Sequence, residues 1–380
     1  MAIKLSNSGM NRYSGCGKSY YYHYVQRYRP LTKSSALLFG SAIDAACNYM
    51  LENFEDRAVD GFLDKAKAIF LAYWDQQTDR DTAEVVDLAQ NPFIKYFKSD
   101  YDGELLTTNE LEILGGSIAT IAAFRALVEE KLKTTEWLSI PEEERVEYNI
   151  QNWFSLRNKG MLMLDAYFAE ILPNFKRIFT VQHKLELTND NGDIINGIAE
   201  FVGQLHDDRI CLTDNKTAGS PYSEDSVRTS QQLALYKQML NIQVETGGEW
   251  QTHIDCAAYA VMGKKMQKIT TKTCTKCGNV ATSSHKTCNR IDSNRARCDG
   301  DWTVVVTFKS PTQFLVDDIS DEFGLSVLEN MSTVISCVEK GIFPKNFDKC
   351  YNDYGGVCSF LHICHKKDPT GLIKLENANG

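Results

Sequence analysis

The strongest constraint on the fold is a change of hydrophobic period at Pro173. From residue 44 to about residue 172, apolar side chains recur three and four positions apart, as in F-L-D-K-A-K-A-I-F-L-A-Y-W, which predicts helices. Beyond Pro173 the apolar residues alternate in short runs, which predicts strands over 178–187, 194–205 and 209–214. Short turns separate these runs, so the three strands are expected to form an antiparallel meander.

The rest of the chain alternates between the two patterns. Helices are predicted over 226–240 and 312–340, and strands over 254–262 and 302–309. A basic, cysteine-rich insert separates the last two strands. The insert is therefore expected to interrupt what would otherwise be a strand pair.

The hairpin within G-I-A-E-F-V-G-Q-L-H-D-D-R-I-C-L-T-D-N-K-T carries an unusual set of charges. A three-residue turn at 206–208 would place Glu200 opposite Asp214, with their Cβ atoms about 5 Å apart. Lys216 would share their face, because strand side chains alternate. A turn one residue shorter would instead pair Glu200 with Asn215, so the prediction depends on register.

Two carboxylates and a lysine on one sheet face have a chemical meaning. Carboxylate oxygens bind Mg²⁺ or Mn²⁺, hard cations that keep several waters. Such a metal acidifies one water and polarises a phosphate, while the lysine neutralises charge in the transition state. The alternative is a cross-strand salt bridge on the surface. Gln232 and Tyr236 favour the metal site, because they lie four apart and share one helix face just after the lysine strand.

Together these motifs resemble the RecB-like branch of the PD-(D/E)xK nucleases, which includes CRISPR-adaptation exonucleases and many phage exonucleases. The segments G-I-A-E, D-N-K-T and Q-L-A-L-Y match the family in order and spacing, and F-G-S-A-I-D matches its early motif. Asp44 stands where the family has histidine, and Glu200 stands where it has aspartate. Both replacements keep an oxygen ligand, while geometry and metal preference become open.

The resemblance implies an α/β fold, with a mixed sheet flanked by helices in the manner of a restriction endonuclease. It implies an exonuclease that acts on single-stranded DNA or duplex ends. The implied metal ligands are Asp44, Glu200 and Asp214, with the Asn215 carbonyl as a candidate fourth. Lys216 becomes the catalytic lysine, supported on the DNA side by Gln232 and Tyr236. Glu186, on the preceding strand, is a candidate for an additional carboxylate.

The end of the chain contributes three cysteines to a second site: Cys350, Cys358 and Cys364. Cys16 lies in a segment that resembles the family's N-terminal cluster motif, in which one early cysteine joins three late ones around a [4Fe-4S] cluster. Thiolates suit zinc as well as iron–sulfur, and spacing alone is compatible with either. The resemblance favours iron–sulfur, although the seven residues between Cys350 and Cys358 exceed the gap common in relatives.

The insert has a cysteine pattern of its own, C-x2-C-x10-C-x9-C, which resembles a small zinc ribbon. Its ligands would be Cys274, Cys277, Cys288 and Cys298. Tetrahedral Zn²⁺ would fold a segment too small for its own core. The second half lacks a tight cysteine pair, so His285 remains an alternative ligand. The other four cysteines fall on apolar faces and are interpreted as buried inert thiols.

Charge distribution favours a DNA partner despite a net charge of -9. Residues 1–43 contain six basic residues and no acidic one, and residues 263–298 contain nine against Asp292. Two basic patches on an acidic body suit a protein that holds DNA in one channel, although solvated faces are the alternative. No apolar leader and no long apolar run is present, so a cytoplasmic protein without a membrane partner is expected (host cytoplasm for a phage protein). In that reducing setting twelve cysteines indicate metal rather than disulfides.

These expectations divide the chain into six parts. They are a basic N-terminal arm with the first cluster cysteine (1–43), a helical region (44–175), the nuclease core (176–262), the zinc-ribbon insert (263–300), a core strand and helix (301–345), and the C-terminal iron–sulfur segment and tail (346–380). The competing hypothesis is a non-catalytic DNA-binding or scaffold subunit of a recombination or repair complex. Retention of Asp214, Lys216 and Gln232 together argues against that alternative.

Overall fold

The computed structural model describes residues 2–30, 35–77, 150–189, 191–281, 287–288, 290–291, 297–298, 300–351 and 357–375. Residues 78–149 of the predicted helical region lie outside the described residues. The strands are β1 (Lys4–Ser6), β2 (Tyr28–Pro30), β3 (Phe175–Thr188), β4 (Ile194–Leu205), β5 (Ile210–Ala218), β6 (Cys256–Gly263), β7 (Gln267–Cys274), β8 (Val280–Ala281), β9 (Trp302–Lys309), β10 (Thr312–Asp317) and β11 (Leu372–Lys374). The α-helices are α1 (Asn7–Gly15), α2 (Gly17–Tyr20), α3 (Ser35–Glu52), α4 (Phe62–Gln77), α5 (Ile150–Ala166), α6 (Gln231–Thr246), α7 (Asp321–Glu339) and α8 (Leu361–Lys366).

A mixed sheet of β1, β3, β4, β5, β6 and β10 forms the centre of the protein. The predicted meander is confirmed, because β4 pairs antiparallel with both β3 and β5. Strand β6 then lies parallel to β5 and antiparallel to β10. Parallel pairing requires a crossover connection, and α6 supplies it between β5 and β6. The protein is therefore an α/β structure with a mixed sheet, as expected.

Helices cover both faces of this sheet. On one face α3, α4 and α5 contribute Phe39, Phe70 and other apolar residues to a core that includes Phe201 of β4. On the other face α6 and α7 pack Leu233 and Val327 against the sheet in a second core. Because both faces are covered, polar side chains at the centre of the sheet are shielded from water.

The turn between β4 and β5 has the length on which the register prediction depends. The Leu205 amide donates to the Arg209 carbonyl at 2.9 Å, which closes a turn of three residues. Asp208, the last of them, has a φ of 72°. A left-handed residue at this position is typical of three-residue hairpins, and aspartate tolerates it better than most residues.

The sheet opens into a fork along one edge of β4. Strand β3 pairs with β4 along nearly its whole length and occupies one edge. On the other edge β1 pairs with 194–196 and β5 pairs with 201–204. Residues 197–200 lie between these two partners, and they are the G-I-A-E motif. The fork therefore frees the edge of β4 at the motif.

Two predictions about the second half of the chain are wrong. Residues 312–317 are strand β10 rather than the start of a helix, because this apolar stretch pairs with β6 and extends the sheet. The helix begins only at Asp321, where the Ser320 side chain caps the Phe323 amide. The insert also interrupts a different strand pair from the one expected: β6 pairs with β10 rather than with β9, and β9 pairs with β7 in a separate three-stranded sheet with β8. The inserted unit therefore extends from the end of β6 to the start of β10.

The N-terminal segment contributes a strand to the central sheet and buried side chains to its core. Strand β1, which the sequence analysis did not predict, adds Lys4–Ser6 to the central sheet. The Ser6 side chain then caps α1 by accepting from the Gly9 amide. Near the other end, β11 pairs with β2, so the two ends of the described chain meet. Within the described residues, no helix combines the length and apolar character needed to cross a membrane.

Candidate active site and metal centres

Glu200 and Asp214 face each other where the fork begins. Pairing between β4 and β5 runs as far as Phe201 and Thr213, so the next residue on each strand is Glu200 and Asp214. This is the register predicted from the three-residue turn. The Glu200 carboxylate accepts a short hydrogen bond from the Asn215 amide, which ties it to β5.

Asp214 is the centre of the candidate site. One of its oxygens forms an ion pair with the Lys216 ammonium. The other accepts from the Gln232 side-chain amide at 2.9 Å. The Asp214 side chain is 3% exposed and that of Lys216 is 29% exposed, so a solute can approach the lysine more readily than the carboxylate. The structure thus brings together three of the residues singled out from the sequence.

Helix α3 adds Asp44 to this group. Burial raises the pKa of Asp44 to about 6; the Lys216 charge opposes this rise and the Asp214 charge adds to it. Burial, followed by the charges of Asp214 and Asp44, raises the pKa of Glu200 well above its usual range. Burial also raises the pKa of Asp214. Carboxylates crowded in a poorly solvated region are the arrangement that a divalent cation stabilises.

The three carboxylates do not lie close enough together to surround one cation position. Among the described residues, only the cysteines of the insert bring three or more ligand atoms within 4.8 Å of one another. The oxygens of Asp44, Glu200 and Asp214 are spaced more widely, and Lys216 lies on one of the Asp214 oxygens. Coordination of one cation by all three therefore requires a shift of side chains, including Lys216.

Tyr236 occupies the open edge of β4 beside Gly197. A Cβ atom on Gly197 would lie 2.3 Å from a ring carbon of Tyr236, so only glycine leaves room for the ring. Burial raises the pKa of Tyr236, and the Ile198 backbone amide near its hydroxyl opposes this rise. Tyr236 therefore packs against the part of the β4 edge that pairs with neither β1 nor β5. The glycine of G-I-A-E leaves the space that the tyrosine ring of Q-L-A-L-Y occupies.

Two residues that the sequence analysis missed also shape the site. Tyr259 of β6 lies beside Asp214 in the parallel register, with its ring centroid 5.9 Å from the Lys216 nitrogen. Its hydroxyl hydrogen-bonds Ser230 at 2.7 Å, and Ser230 also caps α6 by accepting from Leu233. The cap links the position of α6 to that of Lys216. A serine before a helical stretch is a helix-capping signal that the sequence contains, whereas no local pattern predicts the pairing of β5 with β6.

The four cysteines of the insert, here called the insert quartet, form a compact group: Cys274, Cys277, Cys288 and Cys298. The Cys274 and Cys298 sulfurs are 3.6 Å apart, and those of Cys277 and Cys288 are 3.7 Å apart. Four sulfurs at tetrahedral zinc distances lie about 3.8 Å from one another. Gly278 has a φ of 65°, as expected for the turn after the first cysteine pair. The quartet can therefore hold one metal ion, and His285 lies outside the described residues.

The other predicted set, here called the terminal quartet, lines a single pocket: Cys16, Cys350, Cys358 and Cys364. Burial raises the Cys358 pKa, and the other three thiols raise it further. The Asn346 amide lies 3.5 Å from the Cys16 sulfur, and the His365 ring nitrogen lies 3.9 Å from the Cys350 sulfur. These sulfurs are spread more widely than those of the insert quartet. The structure thus brings Cys16 to the three late cysteines.

The remaining predictions concern residues away from these centres. Glu186 forms an ion pair with Lys4 and lies opposite Asn196, four positions from Glu200 along β4. Cys47, Cys211 and Cys256 are fully buried, as expected, whereas Cys337 is half-buried. Glu186 therefore stands outside the group around Asp214.

No protein-family model matches the chain, and no curated protein resembles it significantly.

Proposed function

We propose that this protein is a divalent-metal-dependent deoxyribonuclease of the PD-(D/E)xK type, acting as an exonuclease on single-stranded DNA or duplex ends. The observation that carries the proposal is the pair of contacts that Asp214 makes with Lys216 and Gln232. Glu200 and Asp44 lie beside them, so the three successive elements β4, β5 and α6, together with the distant helix α3, contribute to one site. The alternative is a surface salt bridge, which would leave its carboxylate exposed and without an amide partner.

The chain's own residues define the chemistry that this site would perform. Asp44, Glu200 and Asp214 would hold Mg²⁺ or Mn²⁺, with the Asn215 carbonyl as a candidate fourth oxygen ligand. When bound, such an ion would acidify a water and polarise the scissile phosphate. Lys216 would move from Asp214 to the phosphate and neutralise the charge that develops there.

Gln232 and Tyr236 would act as positioning residues. Gln232 holds one Asp214 oxygen, which leaves the second oxygen for Lys216 or a metal. Tyr236 fills the open edge of β4 and so fixes the strand that carries Glu200. Attack of water at phosphorus would form one P–O bond as the water gives up a proton, and it would break the other P–O bond as the leaving oxygen takes up a proton.

The two quartets fit different metals. The sulfur separations of the insert quartet suit one tetrahedral Zn²⁺. The wider terminal quartet suits a [4Fe-4S] cluster, because each thiolate there binds a different iron atom. Both groups would have a structural role, one fixing the inserted unit and the other joining the ends of the chain.

The test is incubation of end-labelled single-stranded and duplex DNA with the purified protein. We expect degradation with Mn²⁺ or Mg²⁺ and none with EDTA, and comparison of 5′ and 3′ labels gives the direction of digestion. Asp214→Asn keeps the shape of the side chain but removes a charged ligand, so Mn²⁺ binding by calorimetry should weaken. DNA binding without cleavage under every metal condition would instead favour a non-catalytic scaffold subunit.

A further inference from the structure

A cavity of about 330 Å³ lies at the base of the inserted unit. Its wall includes Ala218, Ser220, Pro221, Lys265, Met266 and Pro311. These residues end or follow β5, follow β6 and precede β10, so the cavity opens at the end of the sheet where β5 and β6 both finish. In open α/β sheets, ligands bind outside the carboxyl ends of the strands.

Backbone contacts hold this wall in place. The Lys264 amide donates to the Ala218 carbonyl at 2.7 Å, and the Gly263 amide donates to the Pro311 carbonyl at 2.8 Å. A Cβ atom on Gly263 would lie 2.5 Å from the Pro311 ring, so glycine permits this close approach. The ends of three sheet strands are thereby tied around one preformed space.

The cavity is close to the candidate catalytic lysine. Ala218 lies two residues beyond Lys216 on β5, which corresponds to roughly 7 Å along a strand. Asp214, Lys216 and Ala218 occupy alternate positions and therefore share one face. A phosphate at Lys216 would thus have the cavity roughly one nucleotide away in an extended strand.

We propose that this cavity is a nucleobase subsite, which receives one unstacked base of a DNA strand next to the phosphate at Lys216. The inference rests on the proposed nuclease function and adds the part of the substrate that the protein grips. The volume lies in the range of small-molecule sites, and apolar walls from Pro221, Met266 and Pro311 suit the flat face of a base. Exposed Lys265 at the wall provides a cation for the adjoining phosphate.

One polar side chain of the wall, Gln313, is already engaged. The Gln313 side chain accepts from the Tyr222 amide at 2.8 Å and donates to the Tyr222 carbonyl at 3.0 Å. An amide fixed in this way supports the wall and does not select one base edge. Contact with base faces rather than edges gives binding with little sequence preference.

The test uses short single-stranded oligonucleotides that carry the fluorescent base 2-aminopurine at successive positions. They are bound to the full chain in Ca²⁺, and anisotropy reports binding separately. Stacking quenches 2-aminopurine, so we expect a several-fold rise in fluorescence at one position near the strand end. Ser220→Leu, which fills the cavity from an exposed loop, should remove this rise and change the affinity only a few-fold. The matched control Ser223→Leu adds the same side chain three residues later, outside the cavity wall, and should keep the rise.

Three results would overturn the subsite. A strand that binds with no position-dependent rise, or a rise that persists in Ser220→Leu, would do so even if Mg²⁺- or Mn²⁺-dependent cleavage is observed. Such a result would leave the nuclease proposal standing. No binding of DNA at all would overturn the subsite and the nuclease proposal together. A rise that Ser220→Leu removes, in a protein that never cleaves DNA, would support the subsite and contradict the nuclease.

Discussion

The two cysteine quartets both offer thiolate ligands, but they bring together very different lengths of chain. The insert quartet lies within 25 residues, and its sulfurs approach to 3.6 and 3.7 Å. The terminal quartet joins Cys16 to residues more than three hundred positions later and lines a wider pocket. A metal in the first would order a local unit, whereas a metal in the second would close nearly the whole chain into a loop. Loss of a cysteine from the terminal quartet should therefore destabilise more of the protein than loss of a cysteine from the insert quartet, although one sulfur is removed in both cases.

The largest effect is expected from Cys358→Ser in the terminal quartet. Purified wild-type protein should be brown, and this variant should lose the colour and unfold more easily. A cross-link over so long a loop contributes on the order of 5 kcal/mol to the free energy of unfolding. Visible absorbance, iron content and chemical denaturation measure the change. Cys337→Ser, a half-buried thiol outside both quartets, should keep colour and stability.

Colourless wild-type protein with two zinc ions per chain would contradict the iron–sulfur assignment. The nuclease proposal would survive that result, because no residue of the terminal quartet contacts Asp214 in the described structure.

A smaller and more local effect is expected from Cys277→Ser in the insert quartet. Zinc content should fall from about one ion per chain to none, since one tetrahedral ligand is lost. The colour and the main unfolding transition should remain, because the inserted unit has its own sheet. DNA binding should weaken and its dependence on salt should decrease by about 0.9 per lost phosphate contact in the logarithmic slope. A simultaneous loss of colour and global stability would show that the two quartets are not independent.

The smallest effect on metal content is expected from Gly17→Ala, which probes the terminal quartet without removing a sulfur. A Cβ atom there would lie 2.5 Å from the Pro344 ring and 2.8 Å from its nitrogen, just beside Cys16. Overpacking of this kind costs about 1–3 kcal/mol of unfolding free energy and should lower iron content. Gly15→Ala meets no atom within 4 Å and should be neutral or slightly stabilising. Equal behaviour of the two variants would mean that the contact between the chain ends does not position Cys16.

Local patterns explain why the hairpin could be predicted from sequence. Alternation of apolar residues predicts a strand over 194–205, and β4 has the same ends in the structure. The residues at 206–208 allow a turn with a left-handed aspartate. The facing of Glu200 and Asp214 follows from these two facts alone. The meeting of Gln232 with Asp214 needed the helix spacing and the family resemblance as well.

Long-range pairing explains what the sequence did not reveal. Strand β1 has only three residues, and its apolar Leu5 finds a partner in β4 nearly two hundred positions away. Residues 312–317 have no strand signal strong enough to separate them from the helix that follows, and their state is set by pairing with β6. The same non-local pairing places Tyr259 beside Lys216 and creates the cavity behind Ala218.

The most direct test of the central claim is the single-turnover rate of Mn²⁺-dependent DNA cleavage by Lys216→Ala. Lys4→Ala, which removes an exposed lysine from a surface ion pair, is the control and should retain the wild-type rate. Loss of one group that neutralises transition-state charge should lower the rate about 100-fold or more. DNA affinity should stay within a few-fold, because one lysine among many basic residues adds little to binding. A rate within about tenfold of the wild type would contradict the assignment and place the reacting phosphate elsewhere.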